Sequence, residues 1–196
     1  MKNSRAKGVC IYGASNENID IRFKEDALET GRRVAEAGVP LVSGGGKAGL
    51  MRCAIDGADG AGGITIGVLP QFMVERGWQH PCLSEMVVTA DMHERKATMA
   101  SLSRAAIALP GGCGTLEELL EIITWRKLGL FGGRVVILNT LGFYNPLLQQ
   151  LQACIDREFM YESHSRLWEV ADTPAQAVAM AMAPGAAEVR WEQTIS

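Results

Sequence analysis

Three of the four residues that follow Pro110 are glycines, in the segment "ALPGGCGTLEEL" at positions 108–119. An apolar run ends at this proline, and a helical pattern opens directly after the glycines. Backbone N–H groups at the start of a helix, freed of side chains, form a binding site for an anion such as a phosphate. Thr115 adds a hydroxyl that serves either this site or the cap of the helix. The segment therefore predicts a phosphate site at a helix N-terminus.

Glu117 and Glu118 stand beside this predicted site. We expect both in the first helical turn, where the helix dipole stabilises a carboxylate, so helix capping alone could account for one of them. Because adjacent residues do not share a helix face, one carboxylate is expected to face the site and the other to face away. A carboxylate next to a phosphate has an electrostatic cost, which favours a role in chemistry for the one that faces the site.

The segment "MHERKATM" at positions 92–99 supplies the opposite charge. Arg95 and Lys96 lie at the start of a predicted helix, where the dipole disfavours cations. This conflict favours an anionic ligand for the two side chains. The alternative is a solvated surface pair balanced by Asp91 and Glu94, since charge runs usually lie on the surface.

A second glycine-rich segment, "GGGKAG" at positions 44–49, satisfies the dinucleotide fingerprint GxGxxG between a strand and a helix. The next strand ends in Pro70 and Gln71 rather than in the acidic residue that a ribose needs. Lys47 is followed by alanine, so the segment is not a Walker A loop. Two interpretations stay open: a nucleotide phosphate or sugar site, or a tight strand-to-helix turn that needs glycine for packing.

Short β-branched apolar runs alternate with helical patterns along the chain, which is typical of a parallel sheet covered by helices on both faces. We therefore predict an α/β fold, a Rossmann-like doubly wound parallel sheet with helices on both faces. It forms a single nucleotide-binding domain over 1–183, with a C-terminal tail over 184–196. Ligands of such a fold bind beyond the carboxyl ends of the strands, where the glycine segments gather. The predicted strands cover 8–13, 39–43, 63–70, 85–89, 105–110 and 134–139, and the predicted helices cover 23–38, 50–63, 92–103, 115–129, 145–159 and 173–182.

The composition is that of an ordinary globular protein, with 47% hydrophobic and 21% charged residues and a net charge of −3. It has no basic run, so nucleic acid is not an expected partner, and no stretch approaches a membrane span. Five scattered cysteines without a CxxC pair are typical of reduced thiols in the cytoplasm. No histidine lies at ligand spacing from another, so no metal site is expected.

Three motifs together resemble those of the LONELY GUY family, the cytokinin-activating phosphoribohydrolases once mislabelled as lysine decarboxylases. "SGGGKAGLM" is similar to the family's GGGxxGLMG, "DMHERKATM" to its MHxRK stretch, and "LPGGCGTLEELLEIITW" to PGGxGTxxE and the helix that follows. The resemblance covers residues 8–180. Arg52 departs from GLMG, and Gly77 stands where many relatives have a pocket glutamate, for which Glu75 is the candidate replacement.

The resemblance implies a role for the residues that match these motifs. Arg95 and Glu118, the last residue of PGGxGTxxE, would be catalytic. Family members usually form dimers in which helices of the partner help to complete the pocket, which implies a homodimer or a higher homo-oligomer. The expected substrate-binding residues are Ser15, Gly45, Gly46, Met92, Lys96, Gly111, Gly112, Gly114, Thr115, Glu117 and Thr124.

The implied activity is hydrolysis of the N-glycosidic bond of an adenosine 5′-monophosphate, preferably with an N6-prenyl group. The products would be the free base (cytokinin or adenine) and ribose 5-phosphate, and no cofactor is needed. A non-catalytic nucleotide sensor or cofactor carrier is the main alternative, because it would use the same phosphate loop. A nicotinamide dehydrogenase is disfavoured, because the sequence has no acidic residue at the end of the next strand to bind the ribose of the cofactor. A lysine decarboxylase would hold pyridoxal phosphate as a Schiff base, and we expect a colourless protein instead.

Overall fold

The computed structural model describes residues 6–185, and a sheet of parallel strands forms their centre. The strands are β1 (Gly8–Tyr12), β2 (Leu41–Ser43), β3 (Thr65–Pro70), β4 (Glu85–Thr89), β5 (Ser103–Ala108), β6 (Arg134–Leu138) and β7 (Glu169–Ala171). They form one seven-stranded sheet in the order β4-β3-β2-β1-β5-β6-β7, and every neighbouring pair is parallel. The predicted α/β fold with a parallel sheet is confirmed.

Helices cover both faces of this sheet. They are α1 (Ile21–Glu36), α2 (Gly49–Gly60), α3 (Gln71–Glu75), α4 (Met92–Ser101), α5 (Cys113–Lys127), α6 (Asn145–Asp156) and α7 (Pro174–Met182), with 3₁₀ turns at Thr140–Gly142 and Glu162–Arg166. Side chains of α1, α2 and α7 pack in one core, and side chains of α4, α5 and α6 pack in the other. The doubly wound arrangement is therefore confirmed. Within the described residues, none of the helices has both the length and the apolar character needed to cross a membrane.

Burial of the central strands explains their continuous apolar runs. In β1, Cys10 packs in one core and Ile11 in the other, and both side chains are fully buried. At the edge of the sheet, β4 alternates instead, with Met86 and Val88 exposed. A strand covered on both faces is therefore mostly apolar along its length, whereas every second side chain of the edge strand faces solvent.

Two elements were not predicted from the sequence, namely α3 and β7. They contain five and three residues, which is too short for a periodic pattern to emerge. The predicted helix at 173–182 is present as α7, and the hydroxyl of Thr173 caps it by accepting a hydrogen bond from the N–H of Gln176. The predicted tail at 184–196 lies outside the described residues beyond Gly185.

Two glycines allow α1 and α2 to approach each other closely. A Cβ atom on Gly31 would lie 1.9 Å from the carbonyl oxygen of Ala54, and one on Gly57 would lie 2.0 Å from that of Leu28. The two helix backbones are therefore in direct contact, which fixes α2 and the loop before it against the rest of the fold. That loop contains the "GGGKAG" segment.

The order of the strands reverses between β1 and β5, since β2 to β4 lie on one side of β1 and β5 to β7 on the other. In open α/β sheets, ligands bind at the carboxyl ends of the strands at such a point. The segments that leave the two strands are joined there, because the N–H of Leu109 donates to Tyr12 and the N–H of Ala14 donates to Pro110. The topology therefore places the "PGGCGT" loop at the predicted binding edge.

We predict that Gly57→Ala lowers the free energy of unfolding by about 1–3 kcal/mol, because the added methyl forces α1 and α2 apart. Gly60→Ala, in the same helix, is the matched control, since a Cβ atom there meets nothing within 4 Å. The control is expected to change stability by less than about 1 kcal/mol. Urea denaturation of both variants measures the difference, and equal effects would contradict a close helix contact.

Candidate functional site

Two adjoining cavities form one cleft at the carboxyl edge of the sheet. The glycine-loop cavity has a volume of about 410 Å³ and is bordered by residues 13–16 and 112–115. The apolar cavity has a volume of about 360 Å³ and is bordered by Gly44, residues 46–48 and Trp78. Four residues border both cavities: Ser15, Met51, Met73 and Arg95. One elongated ligand can therefore occupy the two together.

A larger cavity of about 520 Å³ lies at the opposite edge of the sheet, where β5 begins. Among the described residues, its charged lining consists of Lys7 and Arg104, and no carboxylate borders it. None of the residues predicted for substrate binding or catalysis lies there. The chemistry expected from the sequence therefore belongs to the cleft at the carboxyl edge.

Helix α5 begins at Cys113, two residues before the predicted start, with Gly112 as its N-cap. Glu117 and Glu118 consequently lie in the second turn and not in the first, so the expected stabilisation by the helix terminus was wrong. The earlier start follows from the glycines, which allow the backbone to turn into the helix without a capping side chain. Thr115 does not cap the helix either, because no side chain accepts a hydrogen bond from the α5 terminus.

The N-terminus of α5 leaves three backbone donors free. Within the described residues, no acceptor meets the N–H groups of Cys113, Gly114 and Thr115, whereas Leu116 already donates to Gly112. These donors open into the glycine-loop cavity, and the helix dipole adds partial positive charge at the same place. This terminus is therefore a ready site for an anion such as a phosphate.

The glycines of this loop serve different purposes. A Cβ atom on Gly111 would lie 2.1 Å from the hydroxyl of Thr115, so packing within the protein requires glycine at that position. At Gly112 and Gly114, in contrast, an added Cβ atom would meet nothing within 4 Å. The protein itself does not need their small size. Both border the cavity, which indicates that the missing side chains leave space for a ligand.

Two of the first N–H groups of α2, which follows "GGGKAG", already donate to other parts of the protein. The N–H of Gly49 donates to the carboxylate of Glu17 at 3.2 Å, and the N–H of Leu50 donates to the carbonyl of Ala14 at 2.8 Å. Gly49 has a φ of +64°, and a side chain there would lie 2.3 Å from that same carbonyl. These contacts agree with the tight turn, one of the two interpretations left open, whereas the first three N–H groups of α5 meet no acceptor within the described residues.

Arg95 and Glu118 form an ion pair that joins α4 to α5 between the two cavities. The guanidinium Nη1 lies 2.9 Å from Oε1 of Glu118, and only 7% and 12% of the two side chains is exposed. Nε donates to the carbonyl of Val68 at 3.0 Å. Nη2 lies so close to Gly44 that a Cβ atom there would be 1.8 Å away. Three separate segments of the chain therefore surround this guanidinium and fix its position.

Burial raises the pKa of the Glu118 carboxyl above its ordinary value, and the charge of Arg95 opposes that rise. A carboxylate that is largely removed from water interacts strongly with charge that develops nearby. Glu118 also borders the glycine-loop cavity, where the free donors of α5 are found. The arrangement thus combines an anion site, a fixed cation and a shielded carboxylate, which can together support charge separation in a bound nucleotide.

Lys96 lies next to Arg95 but binds a different pair of carboxylates. Its amine contacts Glu117 and lies 3.1 Å from Glu121, so it forms a second bridge from α4 to α5. Burial lowers the pKa of this amine, but the hydrogen bonds that it donates to the two glutamates more than offset that effect and raise the pKa overall. Both cations are buried, so the solvated surface pair is excluded. Asp91 does not balance them, because it accepts hydrogen bonds from the first N–H groups of α4.

The cleft brings together most of the residues expected to bind substrate, and Thr124, Lys96, Gly45 and Gly111 do not border it. The hydroxyl of Thr124 donates to Leu120 on the exposed side of α5, so its binding role stays a prediction. Gly45 and Gly111 instead pack against the protein, since a Cβ atom there would lie 2.5 Å from the side chain of Leu69 and 2.1 Å from that of Thr115, respectively. The expected residues that do border the cleft are Ser15, Gly46, Met92, Arg95, Gly112, Gly114, Thr115, Glu117 and Glu118.

Three residues with clear roles at the cleft were missed by the sequence reasoning: Met73, Trp78 and Tyr144. Met73 belongs to the short helix α3, and Trp78 lies in the loop after it. The hydroxyl of Tyr144 donates to the carbonyl of Leu109 at 2.7 Å and so supports the start of the glycine loop. One usable signal for these residues was present in the sequence, which is the tryptophan in the polar segment around position 78. The other contacts join residues that are far apart in the chain, so no local pattern indicates them.

Glu75 does not replace the pocket glutamate for which it was a candidate. Its carboxylate accepts a hydrogen bond from Gln71 on the exposed surface of α3, and it does not border either cavity. Gly77 has a φ of +66° and ends α3. Within the part of the chain that the structure describes, the apolar cavity is lined by two thioethers, an indole, and the side chains of a leucine and an alanine, together with Ser15, Lys47 and Arg95, and no carboxylate borders it.

Comparisons with known proteins identify the family of this chain. The profile of a family described as "Possible lysine decarboxylase" matches residues 51–181. The rice protein named "Cytokinin riboside 5′-monophosphate phosphoribohydrolase LOG" is 38% identical over 177 residues, which cover 90% of this chain and 73% of that protein. LOG1 of Arabidopsis thaliana, with the same descriptive name, is 40% identical over 157 residues, or 80% of this chain and 74% of its own.

Solved structures with this fold include a protein of a different description. The Moco carrier protein of Chlamydomonas rheinhardtii is 27% identical, with a TM-score of 0.67 over 90% of this chain and 95% of its own. The molybdenum cofactor binding protein of Rippkaea orientalis, at 24% identity and a TM-score of 0.68, shares the fold. The plant relatives are more similar in sequence, and the matched profile spans most of the chain. The chain therefore belongs to the LONELY GUY family, which the "Possible lysine decarboxylase" profile also describes.

Proposed function

We propose that this protein is a cytokinin riboside 5′-monophosphate phosphoribohydrolase, which hydrolyses the N-glycosidic bond of its nucleotide. The observation that carries the proposal is the buried Arg95–Glu118 pair beside the free N-terminus of α5. It matches the activity for which the rice and Arabidopsis relatives are named. The products are the free base and ribose 5-phosphate.

The 5′-phosphate binds at the N-terminus of α5. The free N–H groups of Cys113, Gly114 and Thr115 donate to its oxygens, and the open space at Gly112 allows close approach. This contact is remote from the bond that breaks. Its binding energy therefore positions the sugar between Arg95 and Glu118, in the way that remote contacts orient a reacting centre.

Glu118 is the carboxylate that acts on the sugar. As the bond from C1′ to the base nitrogen breaks, the ribose acquires oxocarbenium character, which a nearby carboxylate stabilises. A water oxygen then bonds to C1′ as its proton passes to Glu118, and Glu118 returns to the carboxylate when this proton is transferred, directly or through solvent, to the nitrogen of the departing base. Arg95 orients the nucleotide and offsets negative charge on the leaving base, a task that suits its fork of donors.

The apolar cavity is the place for the base and its substituent. It adjoins the glycine-loop cavity at Arg95, so a nucleotide with its phosphate at α5 extends its base in this direction. Met51, Met73 and Trp78 offer contacts that favour an apolar group over water. This supports a preference for an N6-prenylated nucleotide over plain AMP.

A cofactor carrier is the second candidate, because the Chlamydomonas relative of similar fold is named as a Moco carrier. A carrier would use the same anion site at α5 without breaking a bond. The shielded Glu118 beside Arg95 argues for catalysis, since a carboxylate next to a phosphate site weakens simple anion binding. Bound nucleotide without released base would favour the carrier.

We also propose a homodimer or higher homo-oligomer, with the exposed side of α5 in the interface. Leu120 and Leu128 are exposed there, with Thr124 between them and Leu130 just beyond the helix. Thr124 would then face the cleft of the partner. Sedimentation velocity measures the mass of the particle in solution and so tests the oligomeric state.

We also propose a cytoplasmic location. The five cysteines are unpaired in the structure, which supports this location.

The first test is release of base from purified protein, followed by chromatography. We expect base from AMP and faster release from N6-isopentenyl-AMP, and none from the matching nucleosides, because only the monophosphates engage the N-terminus of α5. Release from nucleosides at the same rate would contradict the phosphate site. No base from any of the four compounds, with nucleotide still bound, would overturn the hydrolase in favour of the carrier.

We predict that Glu118→Gln lowers kcat by about 10² to 10⁴ while nucleotide binding persists. The amide keeps the shape of the side chain and an oxygen that accepts from Arg95, but it cannot take a proton from water. Steady-state kinetics and calorimetric titration with AMP measure the two quantities. Glu121→Gln, which alters a carboxylate on Lys96 outside the cleft, is the matched control. Near-normal turnover of Glu118→Gln would exclude the assigned role.

The pH profile of kcat/KM provides an independent test of Glu118. The carboxylate form is the active one, so activity is expected to fall as the pH drops through its pKa. Since burial raises that pKa, the midpoint of the fall should lie above the ordinary value of 4.5. Circular dichroism at each pH establishes that the protein is folded. A profile that stays flat down to pH 4.5 would be incompatible with an ionised Glu118 of raised pKa.

A further inference from the structure

One wall of the apolar cavity is a short loop that pairs with the "GGGKAG" segment. The N–H of Lys47 donates to the carbonyl of Trp78 at 3.0 Å, and the N–H of His80 donates to the carbonyl of Gly45 at 2.8 Å. Gly46 and Gln79 form an antiparallel bridge between these contacts. We call residues 76–80 the wall loop. Trp78 is its contribution to the lining of the apolar cavity.

Trp78 is 43% exposed, so packing inside the protein holds its indole only in part. On its outer side, the guanidinium of Arg76 lies 5.1 Å from the ring centroid and also stacks over Phe72 at 5.4 Å. Such cation–π contacts at exposed sites are weak, worth about 0.5–1 kcal/mol. The position of the indole therefore depends mainly on the backbone of the wall loop.

His80 anchors that backbone to α2. Its side chain is 4% exposed, and its Nε2 lies 3.0 Å from Oδ1 of Asp56. The backbone N–H of Cys82 donates to Nδ1 at 3.1 Å, so the ring proton is on Nε2 and points at the carboxylate. Both ring nitrogens are thus engaged, and the imidazole has one fixed orientation. Because α2 is itself locked against α1, Asp56 is a rigid support.

We propose that Trp78 determines specificity for an apolar N6 substituent, and that His80, held by Asp56, is the positioning residue that keeps the indole at the wall of the cavity. The inference rests on the proposed function only for the identity of the nucleotide. Neither residue touches the bond that breaks. Their effect is therefore on the discrimination between substituted and unsubstituted bases, through contact with the substituent alone.

The experiment measures the ratio of dissociation constants of AMP and N6-isopentenyl-AMP by calorimetry. It is done in the Glu118→Gln background, so that neither nucleotide is consumed. We expect the background protein to prefer the substituted nucleotide, and Trp78→Ala to reduce this preference about tenfold, as expected for loss of an apolar contact with a small group. His80→Ala is expected to reduce it similarly, and Asp56→Ala provides the same test through a half-exposed residue whose loss is less harmful to folding.

A double variant distinguishes a positioning role of His80 from a general loss of protein stability. If His80 acts through the indole, adding His80→Ala to Trp78→Ala produces no further change in the ratio. Asp56→Asn should restore the preference lost in Asp56→Ala, because the amide oxygen still accepts from Nε2. His164→Ala is the matched control, since His164 is an equally buried histidine away from the cleft. It is expected to leave the ratio unchanged.

An unchanged ratio in Trp78→Ala would overturn the assignment of specificity. An unchanged ratio in both His80→Ala and Asp56→Ala, or an additive effect in the double variant, would overturn the positioning role. Base release by the protein with Glu118 intact is measured separately. Its failure would refute the hydrolase but not this inference, because the binding ratio needs no turnover.

Discussion

The ion pair between Arg95 and Glu118 is the constraint around which the site is organised. It connects α4, which follows the edge strand β4, with α5, which follows β5 near the middle of the sheet. Removing two charges from water is costly, and a buried pair is retained only where its geometry is well supported. The carbonyl of Val68 and the bare backbone of Gly44 provide that support. The strand order, the contact between α4 and α5, and the glycine at position 44 therefore together fix the position of the Arg95 guanidinium.

The neighbouring Lys96 shows how two adjacent cations are used differently. It is bound by Glu117, at the border of the cleft, and by Glu121, outside the cleft, and so forms a second bridge between α4 and α5. The second bridge fixes the spacing of the two helices, and Arg95 does not need to do this alone. One edge of Arg95 can then face a ligand while the other is held by protein. Lys96 thus has the structural task of joining the two helices, and Arg95 is left for contact with a ligand.

Much of the fold and of the glycine-loop side was predictable from the sequence, because the signals are local. Apolar runs mark the buried strands, and the glycines after Pro110 mark a helix start without side chains. The sequence could not distinguish the two glycine loops, since the carboxylate that fills the start of α2 belongs to Glu17, 32 residues away from Gly49. The wall at Trp78 was missed for the same reason: the pairing that places it connects separate segments.

The location of the wall loop has a consequence for how such proteins diversify. It lies between β3 and β4, at the outer edge of the sheet, whereas the proposed anion site lies where β1 and β5 end, near the centre of the sheet. Changes in length or composition at the periphery can alter which molecule fits without disturbing the parts that hold its charged end. A scaffold divided in this way can acquire new ligands by mutation of one surface loop, and hydrolases and cofactor carriers can share one architecture.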